Sequence, residues 1–67
     1  MEITVNSKVE QVPSNQILEE YLKGRGMDTS RGAAIAVNNC VIARNEWRGC
    51  ILHENDQILI IQATQGG

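Results

Sequence analysis

Apolar and polar positions alternate from the start of the chain. In Glu2-Ile3-Thr4-Val5 the two aliphatic side chains fall on one face and the two polar ones on the other, the period-two pattern of a half-buried strand. Asn6-Ser7 reads as a tight turn, and KVEQV, residues 8–12, as the strand returning from it. Pro13-Ser14 breaks that pattern, and the period then changes. Ile17, Leu18, Tyr21 and Leu22 make one apolar stripe on a helix of about three turns, with Glu19, Glu20 and Lys23 toward water. Ser14 is the expected N-cap, although Ile17 stands where a capping box would place Glu. Gly24 and Gly26 are expected to end the helix.

Residues 25–32, RGMDTSRG, read as a polar loop. The run AAIAVNNCVIA then divides into two strands around Asn38-Asn39, residues that tolerate the left-handed backbone of a two-residue hairpin turn. RNEWRGC reads as a short helical turn or loop, HEND as a turn and QILIIQA as the last strand. The order is ββαβββ, with a short helical turn before the final strand. One main helix covers one face of a mixed sheet, so the fold class is α+β in two layers.

The last strand is apolar on both faces through Ile58, Leu59, Ile60 and Ile61, which places it centrally, beside the first strand. One parity, Ile58 and Ile60 with Ile3, Val5, Ile35 and Val37, is expected under the helix. The other, Leu59 and Ile61 beside Ala34 and Ala36, faces outward, and an exposed apolar patch of that kind marks a partner surface. The competing expectation is that the turn around Trp47 folds back and covers part of it.

Composition narrows the function. The 67 residues are 42% hydrophobic and 21% charged, with a net charge of −2. This describes one small globular domain near the size at which a single core becomes marginal. The basic residues are scattered, which argues against nucleic acid or an anionic membrane surface as partner. No apolar run approaches the ~20 residues of a membrane span, and MEITVNSKVE has neither signal-peptide nor transit-peptide character. The expected compartment is cytoplasmic. Cys40 and Cys50 lack the spacing of a metal site and read as small hydrophobes in a reducing environment, or as a redox or sulfur-relay thiol.

Nothing in the chain assembles an active site. His53 lies in a polar turn beside Glu54, Asn55 and Asp56, and reads as solvated. Glu19 and Glu20 diverge on a helix surface. There is no phosphate-binding glycine motif and no metal cluster, and a catalytic pocket of ~300 Å³ or more is hard to house in so small a core. No catalytic residue, metal or bound cofactor is expected. The chain ends instead on Ala63-Thr64-Gln65-Gly66-Gly67, a segment able to reach about 13 Å. Gln65 and Thr64 give it a polar base, and Gly66 and Gly67 are thin enough to thread a narrow channel. A carboxylate on Gly67 is ionised near neutral pH, with pKa about 3.5. As an anion it is a poor electrophile and needs activation, most simply by forming an acyl-adenylate with ATP held by a partner. Residues 1–63 are thus expected to form the domain and 64–67 a flexible tail.

The stretch AIAVNNCVIARNEWRGCILHENDQILIIQATQGG resembles the sulfur carriers of the thiamine-biosynthesis (ThiS) type, within the ubiquitin-like β-grasp group. The resemblance rests on the Ala-Val-Asn strand end, Arg44 three residues before Trp47, Leu52, Asp56 closing a turn, the hydrophobic strand and the terminal Gly66-Gly67. Asn39 and Asn55 stand where glycine is usual, and Ala43 where proline is usual. Asparagine adopts the same positive φ, so the turns are expected to survive.

The resemblance implies a β-grasp fold and a cycle. An E1-like adenylyltransferase of the ThiF type would adenylate Gly67 with ATP-Mg. A sulfur donor such as a cysteine desulfurase would supply sulfur to form a thiocarboxylate. A thiazole synthase of the ThiG type would receive it. The chain alone is expected to be monomeric. Three other readings stay open: a sulfur carrier for molybdopterin, cysteine or tRNA thiolation; a protein modifier that forms isopeptide bonds through Gly67; and a binding module without tail chemistry.

Overall fold

The computed structural model describes residues 1–26 and 32–62. Strands β1 (Glu2–Val5) and β2 (Lys8–Gln11) form an antiparallel hairpin. Its two-residue turn closes because Asn6 and Ser7 both take positive φ, 50° and 70°, the left-handed pair that suits the twist of the flanking strands. Strands β3 (Ala33–Val37) and β4 (Cys40–Ile42) repeat the device at Asn38 and Asn39, φ 52° and 69°. Strand β5 (Gln57–Gln62) runs between the hairpins, parallel to β1 and antiparallel to β3, in the order β2-β1-β5-β3-β4. The expected central position of the last strand and its place beside the first are both found.

Helix α1 (Leu18–Gly24) is about two turns long rather than three, and Ser14 does not cap it. Asn15 is in a left-handed turn at φ 62°, and Ile17 is extended, bridging Ile51. The first helical N–H, on Leu18, donates to the Cys50 carbonyl at 2.8 Å. A distant chain segment thus satisfies an orphan donor that sequence reasoning assigned to a local cap. At the other end the Gly26 N–H donates to the Lys23 carbonyl at 3.0 Å. Gly26 turns the chain away at φ +79°, a conformation glycine adopts without penalty.

The core lies between α1 and one sheet face. Ile3, Val5, Ile35 and Ile58 come from the sheet, Leu18, Tyr21 and Leu22 from the helix, and Trp47 and Leu52 from the chain that joins β4 to β5. Ile60 and Val37 share that face but are only partly buried at its margin. Arg44–Gly49 forms a 3-10 helix packed against α1. Trp47 is buried within the core and donates its indole N–H to the Ile42 carbonyl at 2.9 Å. The expectation that the Trp47 turn covers the outer sheet face is therefore overturned. An indole needs both apolar burial and one acceptor, and the helix side supplies both.

The substitutions at the family's usual glycine and proline positions are accommodated as expected. Asn39 and Asn55 both sit at φ 69°, and Ala43 has φ −62°, the value proline would impose. Of the polar loop, residues 27–31 lie outside the described residues.

Candidate functional surface and C-terminal segment

Strand register fixes which side chains share the outer face. On β3 and β5, Ala34 pairs with Ile61 and Ala36 with Leu59, while Ile35 pairs with Ile60 and Val37 with Ile58. The second set points toward α1, so the first set points away. Leu59 is 48% and Ile61 57% exposed, against 3% for Ile58. The row extends sideways, since Ala36 also pairs with Val41 and Thr4 pairs with Val9, both valines being exposed. Among the described strand positions of this parity Glu2 is the only charged one. The face is therefore apolar and nearly neutral, and desolvating it on association costs little.

Two asparagines hold β5 in this position. Asn38 donates its N–H to the Gln57 carbonyl at 2.8 Å, and its Oδ1 accepts the Gln57 N–H at 2.9 Å. Asn38 Nδ2 also donates to Asp56 Oδ1 at 3.0 Å, while Asp56 Oδ2 accepts the His53 N–H at 2.7 Å. On the other side Asn6 donates its N–H to the Ile58 carbonyl at 2.9 Å, and its Oδ1 accepts the Ile60 N–H at 2.8 Å. The sequence pattern shows Asn6 and Asn38 only as turn residues. An asparagine in the left-handed conformation at a strand end also holds its amide beside whichever strand lies next to it, and that strand is set by the sheet order.

The chemically versatile side chains do not converge. His53 is exposed, and its Nδ1 lies 4.0 Å from Asp56 Oδ2. Cys40 is a free, exposed thiol. Cys50 is half-buried against the core, and burial, with the charges of Asp56 and Glu46, pushes its thiol up. A raised thiol pKa leaves little thiolate, so Cys50 is a poor nucleophile. Among the described residues no group of His, Cys, Asp and Glu is placed to hold a metal ion, and no helix is long and apolar enough to cross a membrane.

The larger hollows among the described residues are open surface depressions rather than cavities in the core. One of about 430 Å³ is lined by Ile42, Glu46 and Cys50, and another of about 580 Å³ by Glu19, Arg44, Asn45 and Arg48. Glu46 shares the first with Cys50, but its charge raises the thiol rather than activating it.

The edge strand β2 is tied to the end of α1 by a polar cluster. Tyr21 donates its hydroxyl to Glu10 Oε1 at 2.5 Å, and Arg25 Nη1 donates to Glu10 Oε2 and to the Tyr21 oxygen, both at 2.8 Å. The Tyr21 bond, with Arg25, holds the Glu10 carboxyl below its usual range. Burial, with Glu10 beside it, pushes the Tyr21 phenol up.

The expected reactive segment, with Gln65, Gly66 and Gly67, lies outside the described residues, as do Ala63 and Thr64. The structure describes the strand that leads to it: β5 is paired with β3 through Gln62, opposite Ala33.

The model of the ThiS family matches residues 1–67. The chain is 33% identical, over the whole of both chains, to the sulfur carrier protein ThiS of Escherichia coli (strain K12). It is also similar to the crystal structure of a thiamine biosynthesis protein (ThiS) from Geobacter metallireducens, with TM-score 0.84 and 20% identity over all of both chains. An NMR solution structure of a thiamine biosynthesis protein from Geobacter metallireducens gives TM-score 0.82 at 20% identity, covering all of this chain and 88% of that one. These two likenesses establish the ubiquitin-like β-grasp fold.

Proposed function

The chain belongs to the ThiS family, and on that premise we propose that it carries sulfur for thiamine biosynthesis on the terminal carboxyl of Gly67. The observation that supports this most is its whole-length kinship to a protein described as a sulfur carrier, a match that includes the Gly66-Gly67 end. The chain supplies the reacting carboxylate, and the catalysis belongs to partner enzymes.

A ThiF-type adenylyltransferase docks on the outer face at Leu59, Ile61, Ala34 and Ala36, and takes residues 64–67 into its ATP-Mg site. One oxygen of the Gly67 carboxylate attacks the α-phosphorus of ATP, the bond to the β-phosphate breaks and pyrophosphate leaves. The acyl carbon then carries AMP, a good leaving group, and Gly67 has no Cβ to obstruct attack on it. The terminal sulfur of a persulfide donor attacks that carbon and expels AMP. A thiol next cleaves the acyl disulfide, forms a disulfide with the donor and leaves a thiocarboxylate on Gly67. Transfer to a substrate on a ThiG-type thiazole synthase replaces the sulfur by oxygen and restores the carboxylate.

Exchange of pyrophosphate into ATP by the adenylating enzyme tests the first step. The exchange should require this chain and stop when Gly67 is removed, because the carboxylate then falls short by about 3.3 Å. Undiminished exchange with the shortened chain would overturn the reading.

A further inference from the structure

Strand β5 loses its partner on one side before it ends. Its last register pair with β1 is Val5 with Ile58, whereas β3 stays paired to β5 as far as Gln62. Asn6 fills the gap on the β1 side. Its N–H meets the Ile58 carbonyl, and its side-chain Oδ1 takes the Ile60 N–H that its own backbone carbonyl would accept if β1 continued. Two requirements meet at this position. The backbone must adopt φ 50° to begin the turn, and the side chain must present an acceptor on a short stem. Glycine meets the first alone, and asparagine or aspartate meets both.

We propose that Asn6 is a positioning residue that fixes the point from which the C-terminal segment is presented to the adenylating enzyme. This rests on the carrier reading above. Five residues follow Gln62, the last paired residue of β5, a reach of about 16 Å when fully extended. A reach of that length is useful only if its origin is fixed relative to the docking face, because a wandering origin lowers the effective concentration of the carboxylate at the α-phosphate. Asn6 grips β5 at Ile60, two residues before that origin, on the side where β3 gives no support, and it does so from outside the docking row of Leu59 and Ile61.

The test compares Asn6→Gly with Asn6→Asp in the full chain. In Asn6→Gly, amide exchange measured by NMR should quicken at Ile60 by about 3–10-fold, the weight of one hydrogen bond, with β3 amides unchanged. Pyrophosphate exchange should show a fall in kcat of similar size, about 3–10-fold, with KM for the chain nearly unchanged, since docking is intact and only seating of the segment suffers. Asn6→Asp should restore both. A loss confined to KM would mark a smaller folded fraction and overturn the positioning role. So would a wild-type kcat in Asn6→Gly. If the wild-type chain supports no exchange at all, the carrier reading fails and this role with it.

Discussion

Asn38 and Asp56 stand 18 residues apart in the chain and meet side chain to side chain at 3.0 Å. Asp56 is 92% buried, its residual exposure being 8%, and it ties the β3–β4 turn to the turn that launches β5. Asp56→Ala leaves the Asn38 amide and the His53 N–H without their acceptor. Unpaired groups at a part-buried site cost about 1–3 kcal/mol, a large share of the stability of a small domain. Urea denaturation should show a loss of that size. A loss near zero would mean that water replaces Asp56 without penalty.

Opposite faces of β5 should respond unequally to truncation. Ile58→Ala empties a core position and should cost about 2–5 kcal/mol. Leu59→Ala removes a side chain already half in water and should cost under about 1 kcal/mol. Equal large losses at both positions in chemical unfolding would refute the facing assigned from the register.

The Glu10–Tyr21–Arg25 cluster should make stability depend on pH at both ends of the range. The Glu10 pKa is depressed in the fold, so its contribution is present above the ordinary carboxylate range and is lost as pH falls through the folded value. The Tyr21 pKa is raised, so its contribution is present below the ordinary phenol range and is lost as pH rises through the folded value. The Glu10 side chain is 34% exposed, and the effect of Glu10→Gln near neutral pH should be about 1 kcal/mol or less. The variant should also flatten the acid limb of the stability profile. An unchanged acid limb would show that Glu10 does not carry it.

Much of the fold is legible in the sequence because the periods are clean. Ile3 and Val5 give the strand period, Leu18, Tyr21 and Leu22 the helical stripe, and Ile58 to Ile61 the two-faced run of a central strand. What the sequence does not display is satisfied at a distance. Leu18 takes its N-terminal acceptor from Cys50, which no local cap signal encodes. Trp47 could serve either face until the Ile42 carbonyl assigned it to the core. The outer-face residues follow from parity once the helix is placed, so they were readable. The grips of Asn6 and Asn38 needed the strand order β2-β1-β5-β3-β4, which brings both turns against one strand.

Ile61→Asp should leave the domain folded and weaken its complex with the adenylating enzyme. Ile61 is 57% exposed, so the free protein tolerates the charge. An unpaired carboxylate buried at an interface commonly costs several kcal/mol, which is at least tenfold in affinity. Titration calorimetry with a folded variant and unchanged affinity would remove this face from the docking surface.

Intact-protein mass spectrometry shows whether Gly67 is the atom-carrying end of the chain. The chain is incubated with its adenylating enzyme, ATP-Mg and a sulfide source, then digested to locate any change. The mass gain of one oxygen exchanged for sulfur is expected on the C-terminal peptide that ends in Gly66-Gly67, with no gain after Gly67 is removed. Sulfur found on Cys40 or Cys50, or gained equally by the shortened chain, would contradict it.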